Sequence, residues 1–282
     1  MTAGPPKDLP PLRDVIRTHD LQPRKGLGQH FLLDLGLTAR IARVAGDITD
    51  GTTIEIGPGP GGLTRSLLNA GATVIAIEKD ERCLAPLAEI VDAWPGKLEV
   101  MQGDALRIDA SALGSAPRRV IANLPYNIGT ELLVRWLSKP EAFTSITAMI
   151  QKEVADRIVA GPGSKTFGRL SVFAGWRWET KRALDVPPEA FTPPPKVEST
   201  VIHMVPLERP VAEADASTLS RVTAATFGQR RKMLRSSLKT LGDAQSLCAT
   251  AGIDPTLRPE QISVADFCAL ARAVADVEQS ET

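Results

Sequence analysis

The sequence predicts an α/β protein: a mostly parallel β-sheet with helices on both faces, followed by a small all-helical domain. Three observations support this prediction. Short β-rich runs alternate with helical patterns through the first half of the chain, as in βαβ units. Glycines or polar residues follow directly after several of these runs. From about residue 208 onward the pattern is wholly helical, with a turn near 252–259.

The predicted elements follow one another in a regular order. Helical patterns cover 37–45, 63–69 and a stretch ending near 93, and five β-rich runs lie at 52–56, 72–77, 98–101, 119–122 and 145–150. Two more β-like runs, 182–186 and 199–205, flank a segment with five prolines that must be a loop. We therefore expect one antiparallel hairpin in the sheet. The expected organisation is a loose segment over 1–23, an α/β domain over 24–207 and a helical domain over 208–282.

Composition places the chain among globular proteins and points to an anionic partner. The 282 residues carry no net charge, with 43% hydrophobic and 23% charged residues. No acidic residue occurs over 216–242, whereas six basic residues do: Arg221, Arg230, Arg231, Lys232, Arg235 and Lys239. Such a cluster fits an anionic ligand at one face, although a solvated helix face explains it too.

Cysteine, histidine and hydropathy exclude several classes of protein. The three cysteines contain no CxxC pair, so we expect reduced thiols. The three histidines are too scattered to suggest a metal site. No apolar stretch approaches the roughly 18 residues that span a bilayer, and the amino terminus lacks the apolar core of a signal peptide. We expect a cytoplasmic monomer without a metal.

A glycine cluster after the first predicted strand indicates a nucleotide-type cofactor. Gly57, Gly59 and Gly62 form a GxGxxG pattern, and Glu78 follows at the end of the next strand. Glycines let the backbone approach a ligand closely, and an acidic side chain there accepts hydrogen bonds from ribose hydroxyls. The pattern is shared by dinucleotide and S-adenosylmethionine sites, so alone it leaves both open.

Three further residues or motifs favour S-adenosylmethionine. Glu55 precedes the glycines, as in the first motif of methyltransferases, and Asp104 follows the third strand, where it can accept from the adenine amino group. The fourth strand ends in Asn123-Leu124-Pro125-Tyr126, for which a dehydrogenase has no use. S-adenosylmethionine is therefore the predicted cofactor.

The tetrapeptide has the (Asn/Asp)-x-Pro-(Tyr/Phe) form of enzymes that methylate amino groups conjugated to a ring. The lone pair of such a nitrogen is delocalised, and acceptors for its two N–H groups localise it. The side-chain carbonyl of Asn123 and the backbone carbonyl of Leu124 are suited to this, while Pro125 stiffens the turn. Tyr126 offers a face on which a flipped base stacks. An ordinary β-turn is the alternative interpretation.

Together these motifs resemble the ribosomal RNA adenine dimethylase family, and most closely its bacterial small-subunit branch. The resemblance implies a Rossmann-like class I methyltransferase sheet and extends over most of the chain. It rests on residues 25–32, 55–64, 103–106, 123–128, 151–155, 168–172, 191–199, 227–238 and 257–263.

The resemblance also implies a reaction and a set of site residues. Methyl groups pass from S-adenosylmethionine to the N6 atoms of two adjacent adenosines in the 3′-terminal hairpin loop of small-subunit (16S) rRNA, during ribosome biogenesis. Phe191 matches an aromatic that faces the base opposite Tyr126, and a basic helix over 227–241 is expected to contact RNA through Arg230, Arg231, Lys232, Arg235 and Lys239. Cofactor contacts fall on His30, Leu32, Gly57, Gly59, Glu78, Asp104 and Asn123.

At two positions the chain departs from the family pattern. His30 stands where Asn is usual, and Phe167 where Tyr is usual. Two other functions stay open at this point: a large-subunit rRNA adenine methyltransferase, and a non-catalytic RNA-binding or transcription-associated relative. The small-subunit function is favoured by 191–199 and by the basic helix, and activity is favoured by the intact tetrapeptide.

Overall fold

The computed structural model describes residues 9–280, which fold as two compact units. The first unit comprises residues up to 155 together with 181–205, and the second comprises 156–180 and the chain from 206 onward. The domain boundaries expected from the sequence, 24–207 and 208–282, stay a prediction. The two units of the structure differ from these expected domains, because residues 156–180 belong to the second unit.

A seven-stranded sheet carries the first unit. The strands of the structure are β1 (Phe31–Leu32), β2 (Thr52–Ile56), β3 (Val74–Glu78), β4 (Leu98–Gln102), β5 (Arg118–Asn123), β6 (Ser145–Gln151), β7 (Trp178–Val186), β8 (Phe191–Thr192) and β9 (Ser199–Pro206). Their order in the main sheet is β4-β3-β2-β5-β6-β9-β7. β2 to β6 pair in parallel, and β9 is antiparallel to β6. The predicted α/β class is therefore confirmed.

The helices of the structure are α1 (Leu12–Thr18), α2 (Leu35–Val44), α3 (Gly62–Asn69), α4 (Leu84–Ala93), α5 (Gly129–Leu137), α6 (Lys152–Ile158), α7 (Arg169–Arg177), α8 (Ala216–Gly228), α9 (Leu234–Ser237), α10 (Ala244–Ala251) and α11 (Val264–Ser280). Within residues 9–280, none of them is long and apolar enough to cross a membrane.

The central strands are buried because their residues suit a sheet covered on both sides. All five residues of β2 and of β3 are buried, and both strands are rich in β-branched residues. Residues that build the site lie at the carboxyl ends of three strands: Gly57 directly after β2, Glu78 at the end of β3 and Asn123 at the end of β5. In such a sheet, ligands bind at these carboxyl ends.

The amino-terminal segment is more ordered than its composition predicts. Residues 12–18 form α1, with Leu12 and Val15 buried. Four prolines, at positions 5, 6, 10 and 11, precede this helix in the sequence, and Pro11 lies at its N-cap, where the missing N–H of proline costs little. The expectation of a loose segment over 1–23 is therefore corrected for α1, while residues 1–8 lie outside the described part of the chain.

The second unit is built mainly from helices. Its buried cluster contains Phe167, Phe267 and Leu234, and Phe167 and Phe267 lie 6.4 Å apart between ring centroids. Phe167 is fully buried, so the ring that replaces the usual Tyr is part of this core.

The prediction of one continuous basic helix over 227–241 is wrong. α8 ends at Gly228, a turn follows, and α9 begins only at Leu234. Glycine is a poor helix former, and the segment after it is held by a side chain instead. Arg230 Nη2 donates to the carbonyl of Ser164 at 3.2 Å, and Nη1 donates to that of Phe167. Arg231, Arg235 and Lys239 therefore do not share the face of a single helix.

Candidate active site

A pocket lies at the carboxyl ends of β2, β3 and β5. Three segments form its walls: the glycine turn after β2, the tetrapeptide after β5, and the segment before α2. Residues that line it include Gly28, His30, Leu32, Glu55, Gly57, Gly59, Glu78, Lys79, Asp104, Asn123, Leu124, Pro125 and Tyr126. All the predicted cofactor residues are in this group. Phe191 is not.

The glycine turn has a shape that side chains would disturb. Gly57 and Gly59 have positive φ angles of 65° and 56°, which residues with a Cβ rarely adopt. A Cβ on Gly59 would lie 3.1 Å from the Phe31 ring, and one on Gly57 would lie 3.4 Å from the Pro125 ring. Because Gly57 and Gly59 have no side chains, the backbone itself lines the space between β2 and the tetrapeptide. We call this backbone-lined space the cradle.

Glu78 closes the side of this cradle next to β3. Its carboxylate accepts hydrogen bonds from Gly59 N at 2.9 Å and from Asp80 N at 2.7 Å. Burial raises the pKa of Glu78, and these backbone donors partly oppose that rise. Each oxygen still has acceptor capacity, which is what a pair of ribose hydroxyls requires.

Glu55 is buried under the glycine turn without a full set of partners. Burial, with the nearby Glu78 adding to it, raises the pKa of Glu55 to about 8. Its Oε2 has no hydrogen-bond partner among residues 9–280. A cationic group next to this carboxyl, such as an ammonium group of a ligand, would favour its ionised form. The wall of the pocket at Glu55 therefore suits a ligand that carries such a group.

Asp104 lies at the far end of the pocket and is already engaged. Its Oδ2 accepts from Lys79 Nζ at 2.8 Å and its Oδ1 from Leu106 N at 3.0 Å. The Lys79 hydrogen bond is the main reason that the pKa of Asp104 is lowered. The carboxylate is therefore ionised near neutral pH, and a ligand amino group must share it with Lys79. Sequence reasoning missed Lys79, although its position next to Glu78 was a usable signal.

The tetrapeptide is held in a defined conformation. Asn123 Nδ2 donates to the backbone carbonyl of His30 at 3.1 Å, so the side-chain oxygen of Asn123 is left as an acceptor. The carbonyl of Pro125 accepts from Ile128 N and Gly129 N at 3.2 and 2.9 Å, which fixes the turn. Burial raises the pKa of Tyr126, whose hydroxyl lies 2.5 Å from Ser199 Oγ.

Phe191 lies beside the pocket rather than on its surface. It is only 2% exposed, and β8 pairs with β1 so that Phe191 is opposite Leu32. The ring of His30 contacts both Tyr126 and Phe191, with centroid distances of 5.4 and 6.4 Å. Among the described residues, Tyr126 and Phe191 make no ring contact with each other.

Comparison with known proteins agrees with this geometry. A sequence profile of the family described as "Ribosomal RNA adenine dimethylase" matches residues 21–276. The chain belongs to this family. The family prediction is thereby confirmed, and a nicotinamide-dependent dehydrogenase is excluded.

Relatives and solved structures extend the comparison. A protein of Rhodospirillum rubrum named "Ribosomal RNA small subunit methyltransferase A" is 62% identical over 96% of this chain and 94% of its own length. One of the same name from Paramagnetospirillum magneticum is 59% identical over 95% of each chain. The fold is similar to that of a Plasmodium falciparum dimethyladenosine transferase, with a TM-score of 0.71, 24% identity, and coverage of 86% of this chain and 96% of that one.

As a member of this family, the chain is a methyltransferase, and a methyl donor is its expected cofactor. A crystal structure described as a 23S rRNA methyltransferase also shares the fold, with a TM-score of 0.66, 24% identity, and coverage of 87% of this chain and 99% of that one. At such identity the likeness concerns the fold alone. Among residues 9–280, no group of three His, Cys, Asp or Glu side chains is arranged to hold a metal ion.

The predicted RNA-binding residues differ in their availability. Arg231, Lys232, Arg235 and Lys239 are exposed. Arg230 is half-buried, donates to two backbone carbonyls and lies 5.9 Å from the centroid of the Phe227 ring. Four of the five predicted residues thus present a charge to solvent. Arg230 instead fixes the turn between α8 and α9 through its hydrogen bonds.

Proposed function

We propose that this chain transfers methyl groups from S-adenosylmethionine to the N6 atoms of two adjacent adenosines in the 3′-terminal hairpin loop of small-subunit rRNA, as a cytoplasmic monomer. The two bacterial relatives cited above are named small-subunit methyltransferases. The pocket supports methyl transfer to a base. Its cradle suits a nucleoside, and next to it lies a tetrapeptide suited to an amino group on an aromatic ring.

One observation carries the proposal: the orientation of the Asn123 amide. Because Nδ2 is engaged by the His30 carbonyl at 3.1 Å, Oδ1 is presented as a neutral acceptor. An amino group conjugated to a purine is a poor nucleophile, and hydrogen bonds to its N–H groups localise the lone pair. With the backbone carbonyl of Leu124 as second acceptor, the site holds the nitrogen in line for attack. The amide of Asn123 takes no proton at working pH, so catalysis relies on positioning.

The pocket residues fit the proposed donor, which supplies an electrophilic methyl group on a positively charged sulfur. Glu55 is proposed to hold the ammonium group of its methionine part, since Oε2 is buried and has no hydrogen-bond partner among residues 9–280. Glu78 is proposed to accept from the ribose hydroxyls, and Asp104 from the adenine amino group. His30, Leu32, Gly57, Gly59 and Asn123 line the remaining wall.

The base is proposed to stack on Tyr126. Alanine substitution of a stacking aromatic costs about 1–3 kcal/mol per base. The hydroxyl of Tyr126 is held by Ser199 at 2.5 Å, so its ring has a fixed orientation. Arg231, Lys232, Arg235 and Lys239 are proposed to contact the RNA backbone, with Arg230 ordering the turn between α8 and α9.

The test is methylation of undermethylated small ribosomal subunits by the wild type and by Asn123→Ala. We expect two dimethylated adenosines with the wild type and at least a ~100-fold lower rate with the variant, because a misplaced nucleophile loses about that much. Asn69→Ala, an exposed position at the end of α3, is the matched control and should retain the full rate.

Two outcomes would contradict the proposal. Methylation of naked large-subunit RNA, with none of the small subunits, would indicate the large-subunit activity instead. Binding of labelled S-adenosylmethionine without methyl transfer to either RNA would indicate a non-catalytic RNA-binding protein.

A further inference from the structure

The side chain and the backbone of His30 serve different parts of the site. Its backbone carbonyl accepts from Asn123 Nδ2 at 3.1 Å. Its ring contacts Tyr126 at a centroid distance of 5.4 Å and an interplanar angle of 33°, and Phe191 at 6.4 Å and 82°. Its Nδ1 lies 2.8 Å from the carbonyl oxygen of Pro193. The imidazole is therefore on the side of the tetrapeptide aromatic.

The hydrogen bond to Pro193 fixes the proton of this imidazole. A carbonyl oxygen only accepts, so Nδ1 must carry the proton and donate. This contact holds the ring at the proline-rich segment that follows β8. Among the described residues, the Nε2 atom of His30 has no hydrogen-bond partner. The ring is thus held by one hydrogen bond and by two aromatic neighbours.

Tyr126 is the residue proposed to stack the target base, and Phe191 is the aromatic that the family resemblance expects opposite it. Aromatic rings in contact have centroids about 4.5–7 Å apart, and both His30 contacts lie in that range at 5.4 and 6.4 Å. Tyr126 makes no ring contact with Phe191, and its described aromatic neighbour is His30. A flat heteroaromatic ring of this chain thus contacts the side chain proposed to stack the target adenine.

We propose that the His30 imidazole is the resident ring of the acceptor site, and that it leaves the face of Tyr126 when the target adenine enters. This inference rests on the proposed function and deepens it. Residue 30 then sets the affinity for the acceptor base, because every base that stacks on Tyr126 first displaces the imidazole. His30 also lines the donor pocket, so base affinities are compared with the donor site saturated. His30 therefore tunes the affinity for the base, and the chemical step itself belongs to the tetrapeptide.

The experiment uses histidine NMR, since the chain has only three histidines. The full chain carries ¹³C-labelled histidine, and saturating S-adenosylhomocysteine occupies the donor site so that an added base cannot bind there. The probe is 9-ethyladenine, and its dissociation constant is measured for wild type, His30→Asn and His30→Ala. His19→Asn is the matched control, because His19 is hydrogen-bonded to Glu89 at 3.2 Å and lies outside the pocket.

We expect the His30 ring signals to move on titration with 9-ethyladenine while those of His19 and His203 stay in place. Both His30 variants should bind the base about twofold to tenfold more tightly than the wild type, the range covered by the loss of one aromatic ring contact. The His19→Asn protein should match the wild type in binding of both the base and the donor analogue. Because His30 also lines the donor pocket, each His30 variant is titrated with base at a donor-analogue concentration that saturates that variant.

Two results would overturn the inference. One is a His30 signal that stays in place while the wild type becomes saturated with base. The other is equal or weaker base binding by both His30 variants. Either result alongside normal methyl transfer by the wild type refutes this inference alone. Absence of methyl transfer by the wild type refutes the proposed function instead.

Discussion

The buried carboxyl of Glu55 gives the molecule a specific dependence of stability on pH. In the unfolded chain this group ionises near its ordinary pKa of 4.5, whereas burial raises the pKa to about 8 in the folded protein. That difference corresponds to on the order of 5 kcal/mol of free energy. Replacing the carboxyl with the neutral amide of Glu55→Gln removes the group that titrates while keeping its size.

The number of protons bound in each state decides whether the free energy of unfolding rises or falls with pH. Between pH 4.5 and 8 the unfolded chain has lost the Glu55 proton and the folded chain retains it. The free energy of unfolding of the wild type therefore falls as pH rises, by up to about 1.4 kcal/mol per pH unit from this group. The variant has no such dependence. Its stability relative to the wild type should increase by up to about 4 kcal/mol between pH 5 and pH 8.

Urea denaturation of both proteins at pH 5, 6, 7 and 8 measures this difference. Subtracting one curve from the other cancels the other titrating groups. Glu99→Gln, an exposed position on β4, is the control and should differ from the wild type by the same amount at each pH. If the difference for Glu55→Gln were equally independent of pH, the reasoning from burial would be refuted.

Three further predictions concern the glycine turn, the stacking face and the basic residues. Gly62→Ala should lower the free energy of unfolding by about 1–3 kcal/mol in urea denaturation, because the new Cβ would lie 2.5 Å from the carbonyl oxygen of Leu32. Tyr126→Phe should keep most methyl transfer, since only the hydrogen bond to Ser199 is lost, whereas Tyr126→Ala should raise the KM for small subunits; equal kinetics of these two variants would contradict stacking. Arg231→Glu with Arg235→Glu should weaken RNA binding and flatten its salt dependence in filter-binding assays, with donor affinity unchanged; unchanged RNA affinity would refute the assignment.

Much of the fold and of the donor pocket could be predicted because those signals are local. The β-rich run at 52–56 coincides with β2, and the run at 145–150 lies within β6. Their hydrophobicity is continuous because both faces of a parallel sheet are covered. Glu78 and Asn123 each end a strand and Gly57 directly follows one, so placing the strands also placed the motifs on one edge of the sheet.

What could not be predicted depends on contacts between residues distant in the sequence. The ring of His30 meets Tyr126 and the Pro193 carbonyl across separations of 96 and 163 positions, and no periodicity encodes such a meeting. The burial of Phe191 follows from pairing of β8 with β1, two strands of two residues each. The break after Gly228 was missed because Leu234, Leu238 and Leu241 have helical spacing after it. The contacts that form the turn are not local, since Arg230 donates to carbonyls more than 60 positions away.

The two-residue pairing of β1 with β8 has a consequence for how the two substrates influence each other. β1 lies in the wall of the pocket, and β8 contains Phe191, the aromatic that is expected to face the acceptor base. A ligand that rigidifies one strand lowers the entropic cost of ordering its neighbour, and this coupling acts equally in both directions. Under the proposed function we therefore expect donor and RNA to reinforce each other's binding, and release of the spent donor between successive methylations to weaken RNA binding.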